Sequence, residues 1–181
     1  MRAGRPLFHP APSDVPLRDT AFADLDLELD TTRRVLDRVP ADRFDWRPHE
    51  KSMTLGALAK HVAGLPRMAV MTMTTAEMDL AAARPPSDPV ETHDDLMALW
   101  DASSAALRDA LDGADDEALA AMWALRHGKR TVSADPRHLV IRRWALSHIV
   151  HHRGQLTVYL RLLDVPVPSV YGPSADDRGG M

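Results

Sequence analysis

Two histidines near the end of the chain, His148 and His152, are four residues apart in a segment whose apolar spacing predicts a helix. On an α-helix this spacing puts both imidazoles on one face, one turn apart, where they can share a transition-metal ion. Such pairs also arise by chance as exposed or hydrogen-bonded side chains. His151 offers a second possible pairing with His148, but it lies about 100° from His152 on the helix. The face shared by His148 and His152 therefore predicts these two as the ligands.

A third imidazole is available at His61, on the apolar face of a second predicted helix. A lone histidine on such a face is more often a core residue, and its candidacy depends on a pair elsewhere that needs a third ligand. Three imidazoles without a thiolate suit Zn(II), Ni(II), Fe(II) or Cu(II) better than Mg(II) or Ca(II). Three protein ligands leave at least one coordination position open, which is typical of catalytic sites.

Other familiar catalytic patterns are missing from the sequence. It has no H-E-x-x-H motif, so no glutamate next to a histidine pair can act as the base of a metalloprotease. Ser103 and Ser104 are not part of a G-x-S-x-G motif, and no Gly-rich phosphate loop is present.

Composition limits the class of protein. The chain has 181 residues, 45% of them hydrophobic, which predicts one domain with an ordinary core. There is no cysteine, which excludes disulfides and thiolate ligands. The formal net charge of −4, with interspersed charges, gives no indication of a nucleic-acid partner. Without a long apolar run we expect no membrane partner, and we predict a soluble, cytoplasmic protein.

Hydrophobic periodicity predicts four long helices. The first spans 17–38, and the second follows an N-cap at Ser52 or Thr54 and contains Pro66, which should kink it one turn after His61. A helix-breaking segment at 84–92 precedes the third helix, which starts at Thr92 or His93 and ends at Gly113. The fourth spans 137–163. Residues 114–136 are less periodic, and a turn or short hairpin can form there around Gly128.

The fold prediction is an all-α four-helix bundle. Residues 1–16 are predicted to be an irregular lead-in, residues 17–177 the single domain, and residues 178–181 a flexible tail.

Three stretches resemble the DinB/YfiT-like metalloenzyme family, a family unrelated to the DNA polymerase of the same name. They are F-D-W-R-P from Phe44, S-M-T-L-G-A-L-A-K-H-V-A-G-L-P from Ser52, and the long C-terminal stretch H-I-V-H-H-R-G-Q-L-T-V-Y-L that begins at His148. The resemblance covers 17–177. It implies an up-down-down-up bundle, a homodimer, and a divalent ion, nickel or zinc, bound by three histidines.

The family histidines correspond to His61, His148 and His152, the same residues that the spacing indicates. The resemblance further implies either a transferase that uses a low-molecular-weight thiol or a metal-dependent hydrolase, acting on a small-molecule substrate. The alternative is a non-catalytic, metal-binding, stress-associated homodimer.

Four residues are candidates for supporting or catalytic roles beside the ligands: His151, Arg153, Gln155 and Tyr159. Arg153 can equally be a surface residue or a salt-bridge partner. Tyr171, farther along, can simply pack the tail onto the bundle.

Overall fold

The computed structural model describes residues 15–82 and 89–179, and its secondary structure is mainly helical. Most of the predicted lead-in, most of the predicted helix-breaking segment at 84–92 and the last two residues of the predicted tail lie outside the described residues. The helices are α1 Leu17–Ala21, α2 Leu25–Leu36, α3 Leu55–Gly64, α4 Pro66–Thr74, α5 His93–Asp112, α6 Asp116–Ala120, α7 Arg137–Ile141 and α8 Ser147–Leu162. The strands are β1 Glu77–Asp79, β2 Met122–His127 and β3 Arg130–Pro136.

The strands correct the all-α prediction. β2 and β3 form an antiparallel hairpin that turns at Gly128, and β1 pairs with β2 in parallel. Gly128 has a φ of +58°, a conformation that favours glycine at the turn. The hairpin alternative for this region is confirmed. The parallel strand β1 was missed, because three residues are too short to show a period.

The first predicted helix is interrupted. α1 ends at Ala21 and α2 begins at Leu25, with buried Phe22 and the ion pair of Asp24 with Arg142 at the break. Both contacts involve residues distant in sequence, so the periodicity of 17–38 gave no sign of the break.

The second predicted helix begins and breaks near the expected positions. The Thr54 hydroxyl accepts a hydrogen bond from the Ala57 amide at 3.2 Å and so caps α3. Because proline lacks an amide hydrogen, the helix is interrupted at Leu65, and Pro66 becomes the first residue of α4. α3 therefore ends one turn after His61.

The third predicted helix corresponds to α5. Thr92 and Asp95 form a capping box, in which each side chain accepts a hydrogen bond from the other residue's amide. The helix then runs to Asp112, with Gly113 as its C-cap.

The fourth predicted helix is continuous but not uniform. Residues Arg142–Leu146 form one π-helical turn between α7 and α8. Such turns change the register of the side chains that follow and occur frequently at functional sites. Here the turn comes directly before the segment that carries His148 and His152.

A single large apolar core lies between α2, α3, α5 and α8. Its largest fully buried members include Trp100, Leu58 and Leu107. A smaller cluster of Trp123, Leu125 and Val140 packs the sheet onto the helices. None of the helices in the described part of the chain has the length and hydropathy needed to cross a membrane.

Gly56 permits a close backbone contact at the start of α3. A Cβ at this position would lie 2.8 Å from the Cβ of Phe44. The Phe44 carbonyl accepts a hydrogen bond from the Gly56 amide. We expect Gly56→Ala to lower the free energy of unfolding by about 1–3 kcal/mol, because the loop that carries Phe44 must move. Urea denaturation measures this change.

The control for Gly56 is Gly154→Ala in the interior of α8, where an added Cβ meets nothing within 4 Å. This change should raise the free energy of unfolding by about 0.5–1 kcal/mol through helix propensity. An equal loss of stability in both variants would contradict a steric role for Gly56.

Candidate metal centre

The three predicted histidines come together on facing helices. His148 Nε2 lies 2.8 Å from His152 Nε2 and 3.5 Å from His61 Nε2. One nitrogen of each ring lies within 4.8 Å of the other two, and all three side chains are half-buried. Residues 87 positions apart in the chain therefore meet at one point.

This arrangement fits a transition-metal ion. Ligand nitrogens about 2.0–2.1 Å from a tetrahedral zinc ion lie about 3.3 Å from one another. The observed separations of 2.8 and 3.5 Å fall on either side of that value. Within the described ranges, no carboxylate belongs to the cluster. Its donors are therefore neutral nitrogen ligands, which suit zinc or nickel.

The helices position the rings by running antiparallel. His61 on α3 meets His148 and His152 in the first half of α8, whereas Met53, just before α3, accepts a hydrogen bond from Tyr159 in the second half. Trp46 packs edge-on against the Tyr159 ring at 5.7 Å. The loop before α3 is thus attached to α8 two turns beyond the histidines.

Burial keeps two of the rings neutral. Burial, with the nearby His152 and His148, lowers the pKa of His61 to about 4. Burial and His152 likewise lower the pKa of His148, although a hydrogen bond to the Trp144 main chain partly opposes the change. Since a metal ion binds the unprotonated imidazole, both rings are in the ligating form at neutral pH.

Hydrogen bonds on the far side of two rings fix their orientation. His152 Nδ1 lies 2.7 Å from the Gln155 side-chain oxygen, which accepts its hydrogen. The Gln155 amide in turn donates to His151 Nε2 at 3.2 Å. His148 bonds to the main chain of Trp144, which lies within the π-helical turn. These partners leave the Nε2 atoms directed at one another, as outer partners of metal ligands typically do.

Two cavities lie elsewhere on the surface, away from the three histidines. One cavity of about 500 Å³ lies between α1 and α7, beside the ion pair of Asp24 with Arg142. Another, of about 440 Å³, lies between α4 and α5. Neither contains a residue of the three-histidine cluster.

Comparisons with known proteins agree with the motifs and the fold. The family model described as "DinB family" matches residues 20–178. The chain belongs to the DinB family. Its sequence is 25% identical over 158 residues to the uncharacterized protein YrdA of Bacillus subtilis (strain 168), covering 84% of this chain and 86% of YrdA.

Two solved structures share the fold of this DinB-family chain. A DinB-like protein from Bacillus cereus ATCC 10987 has a TM-score of 0.65 at 19% identity, with 84% of this chain and 97% of that chain covered. The DinB-like protein YjoA from Bacillus subtilis has a TM-score of 0.62 at 17% identity, with 80% and 92% covered.

Arg153 of this DinB-family chain points away from the histidines into the core. Its Nη2 lies 2.7 Å from the Glu28 carboxylate, and the exposed fractions of the two side chains are 1% and 6%. Its Nη1 donates to the Glu28 carbonyl and to the Thr32 hydroxyl, both at 3.1 Å. Nη2 also donates to the Tyr171 oxygen at 2.6 Å. We call Arg153, Glu28, Thr32 and Tyr171 the Arg153 network.

Sequence reasoning missed two members of the Arg153 network. Neither Glu28 nor Thr32 is among the candidate residues that the sequence indicates. The sign of the burial of Glu28 is helical spacing, since Glu28 lies three residues after the core residue Leu25 and four residues before buried Thr32. Its partner is 125 residues away. The salt-bridge alternative for Arg153 is the one that the structure shows.

The network changes the titration of Tyr171. Tyr171 is 65% exposed as a whole, but partial burial of its hydroxyl raises the pKa of the phenol. The hydrogen bond to Glu28 raises this pKa further, while the Arg153 charge opposes the shift. The folded state therefore favours the neutral phenol. This contribution to stability is complete below the unfolded pKa of about 10 and is lost as pH rises through the higher folded value.

We expect ultraviolet absorbance to show one of the two tyrosines ionising above pH 10 in the folded protein. Tyr171→Phe should remove this ionisation above pH 10, and Tyr159→Phe should retain it. Ionisation of Tyr171 at the value of an unfolded peptide would contradict the hydrogen bond to Glu28.

Proposed function

We propose that this DinB-family protein is a divalent-metal-dependent enzyme in which His61, His148 and His152 hold zinc or nickel. The observation that carries the proposal is the convergence of their nitrogens, with Nε2 separations of 2.8 and 3.5 Å. Three protein ligands are the typical number at catalytic sites, where a further position takes substrate or water.

The proposed reaction is transfer of a low-molecular-weight thiol to a small-molecule substrate, with hydrolysis as the second candidate. A divalent ion with three imidazole ligands supplies a Lewis acid that deprotonates a coordinating thiol outright and lowers the pKa of a coordinating water to about 7. A thiol bound in this way would need less assistance from a carboxylate general base at neutral pH. Within the described residues, no carboxylate belongs to the cluster.

The chain's own residues prepare the site for either reaction. Gln155 and the Trp144 main chain hold the rings of His152 and His148, and burial keeps His61 and His148 unprotonated. His151 is exposed beside the cluster, with its ring centroid 4.7 Å from that of His152. Its Nε2 would accept a proton released from a thiol or a water once the Gln155 amide, which donates to that nitrogen, turns away.

The test begins with the metal content of the untagged protein, measured by elemental mass spectrometry. Loaded protein is then mixed with a small thiol and an electrophile, and separately with an ester, while mass spectrometry follows the products. Thioether formation that stops after chelation and returns with zinc or nickel supports transfer. Ester cleavage under the same control supports hydrolysis.

Bound metal without either reaction would favour the non-catalytic metal-binding alternative. No metal in any preparation, even after divalent ions are added, would overturn the proposal. The homodimer stays a prediction of the family resemblance, and light scattering of the eluted protein checks it.

A further inference from the structure

We propose that the Arg153 network positions the metal centre by fixing the rotation of α8 about its axis. The inference rests on the proposed metal site. Two of the three ligands, His148 and His152, are on α8, and Arg153 follows His152 directly. Any rotation or slide of α8 moves both of these imidazoles together relative to His61 on α3.

The network joins three separate segments at one guanidinium. Arg153 comes from α8, Glu28 and Thr32 come from α2, and Tyr171 comes from the segment that follows α8. Tyr171 closes the arrangement, since its hydroxyl lies 2.8 and 2.9 Å from the two Glu28 carboxylate oxygens. Its ring also lies over the Arg153 guanidinium, at 5.0 Å.

The directions of the hydrogen bonds made by Arg153 restrict, in particular, the rotation of α8 about its axis. Successive residues on a helix are about 100° apart, so Arg153 extends toward α2 while His152 faces α3. A planar guanidinium that bonds through both terminal nitrogens has little orientational freedom. Apolar neighbours such as Leu156 tolerate small rotations, because their contacts have no preferred direction.

The burial of the charges also indicates positioning. Removing two charges from water costs free energy that their attraction only partly offsets, so a buried ion pair is a weak source of stability. What such a pair specifies well is a single arrangement of the elements that it joins. Here the elements are α8, which carries two of the proposed ligands, and α2, which packs on a different face of α8 from the histidines.

The test compares two substitutions in the segment after α8. Tyr171→Phe removes the hydroxyl from the Arg153 network and keeps the ring over the guanidinium. Asp176→Asn, the matched control, weakens the attachment of the same segment to Arg161 and to the Val167 amide without touching the network. Cobalt(II) serves as the probe, because its visible spectrum reports the ligand geometry.

We expect Tyr171→Phe to bind cobalt about tenfold more weakly than the wild type, with a changed visible spectrum. This is the low end of the range for loss of a hydrogen-bond partner of a ligand, because the network acts on the ligands only through α8. Asp176→Asn should bind cobalt with the wild-type affinity and spectrum. Thermal unfolding of the metal-free proteins separates this effect from stability, since a purely structural role shifts the midpoint without altering the spectrum.

Three results would overturn the inference. Wild-type affinity and spectrum in Tyr171→Phe would refute positioning while leaving the metal site intact. Equal losses in Tyr171→Phe and Asp176→Asn would assign the effect to attachment of the segment in general. Failure of the wild type to bind cobalt, or binding that survives His148→Ala, would refute the proposed metal site itself and the inference with it.

Discussion

His148→Ala is expected to reduce zinc or nickel binding by more than the roughly 10- to 100-fold that loss of an outer partner causes. His148 is central to the proposed site, since its Nε2 is 2.8 Å from that of His152 and 3.5 Å from that of His61. Its removal leaves two imidazoles on different helices, and these bind an ion weakly. Competition with a chromophoric chelator measures the affinity, and elemental mass spectrometry measures the ions bound per chain.

His151→Ala is the matched control for this prediction. It removes an imidazole from the same helix, three residues away, but His151 is exposed and does not belong to the cluster. Affinity should stay within about tenfold of the wild type, because only its bond to Gln155 is lost. Equal losses in the two variants would show that the ion is bound through the 148/151 pairing instead.

Glu28→Ala is expected to lower the free energy of unfolding by about 3–5 kcal/mol. The substitution leaves the Arg153 charge buried, with its side chain only 1% exposed. The Glu28 carbonyl and the Thr32 hydroxyl still accept hydrogen bonds, but neither carries a negative charge. Urea denaturation followed by circular dichroism gives the change in free energy.

Asp101→Asn provides the comparison at the surface. Asp101 pairs with Arg33 at 2.8 Å, where both side chains are about half exposed, and the guanidinium lowers the pKa of the carboxyl. Solvent screening limits the loss of stability in Asp101→Asn to about 1 kcal/mol or less.

A double variant, Glu28→Leu with Arg153→Met, should regain much of the stability that Glu28→Ala loses. A loss with Glu28→Ala no larger than that with Asp101→Asn would contradict a buried ion pair.

Local features were predictable from the sequence, because each depends on a few neighbouring residues. The caps at Thr54 and Thr92, the break at Pro66 and the shared face of His148 and His152 all follow from helix geometry. The placement of His61 against this face was also expected, from its apolar stripe and from the family motif.

Long-range features could not be predicted in the same way. Glu28 has the charge of a surface residue, and only Arg153 makes its burial favourable. The break before α2 depends on the contact of Asp24 with Arg142, 118 residues away. β1 acquires strand structure by pairing with β2, a segment that follows α5 in the chain. In each case the deciding partner is far away in the sequence.

The separation of 87 residues between His61 and His148 also determines when the site can form during synthesis. His61 leaves the ribosome long before His148 and His152, and closing so long a loop is entropically costly until α3 and α8 have docked. Metal capture at the proposed site would therefore follow assembly of the core rather than guide it. Until His148 and His152 are synthesised, the nascent chain holds only one of the three proposed ligands, and it would compete poorly for free zinc or nickel.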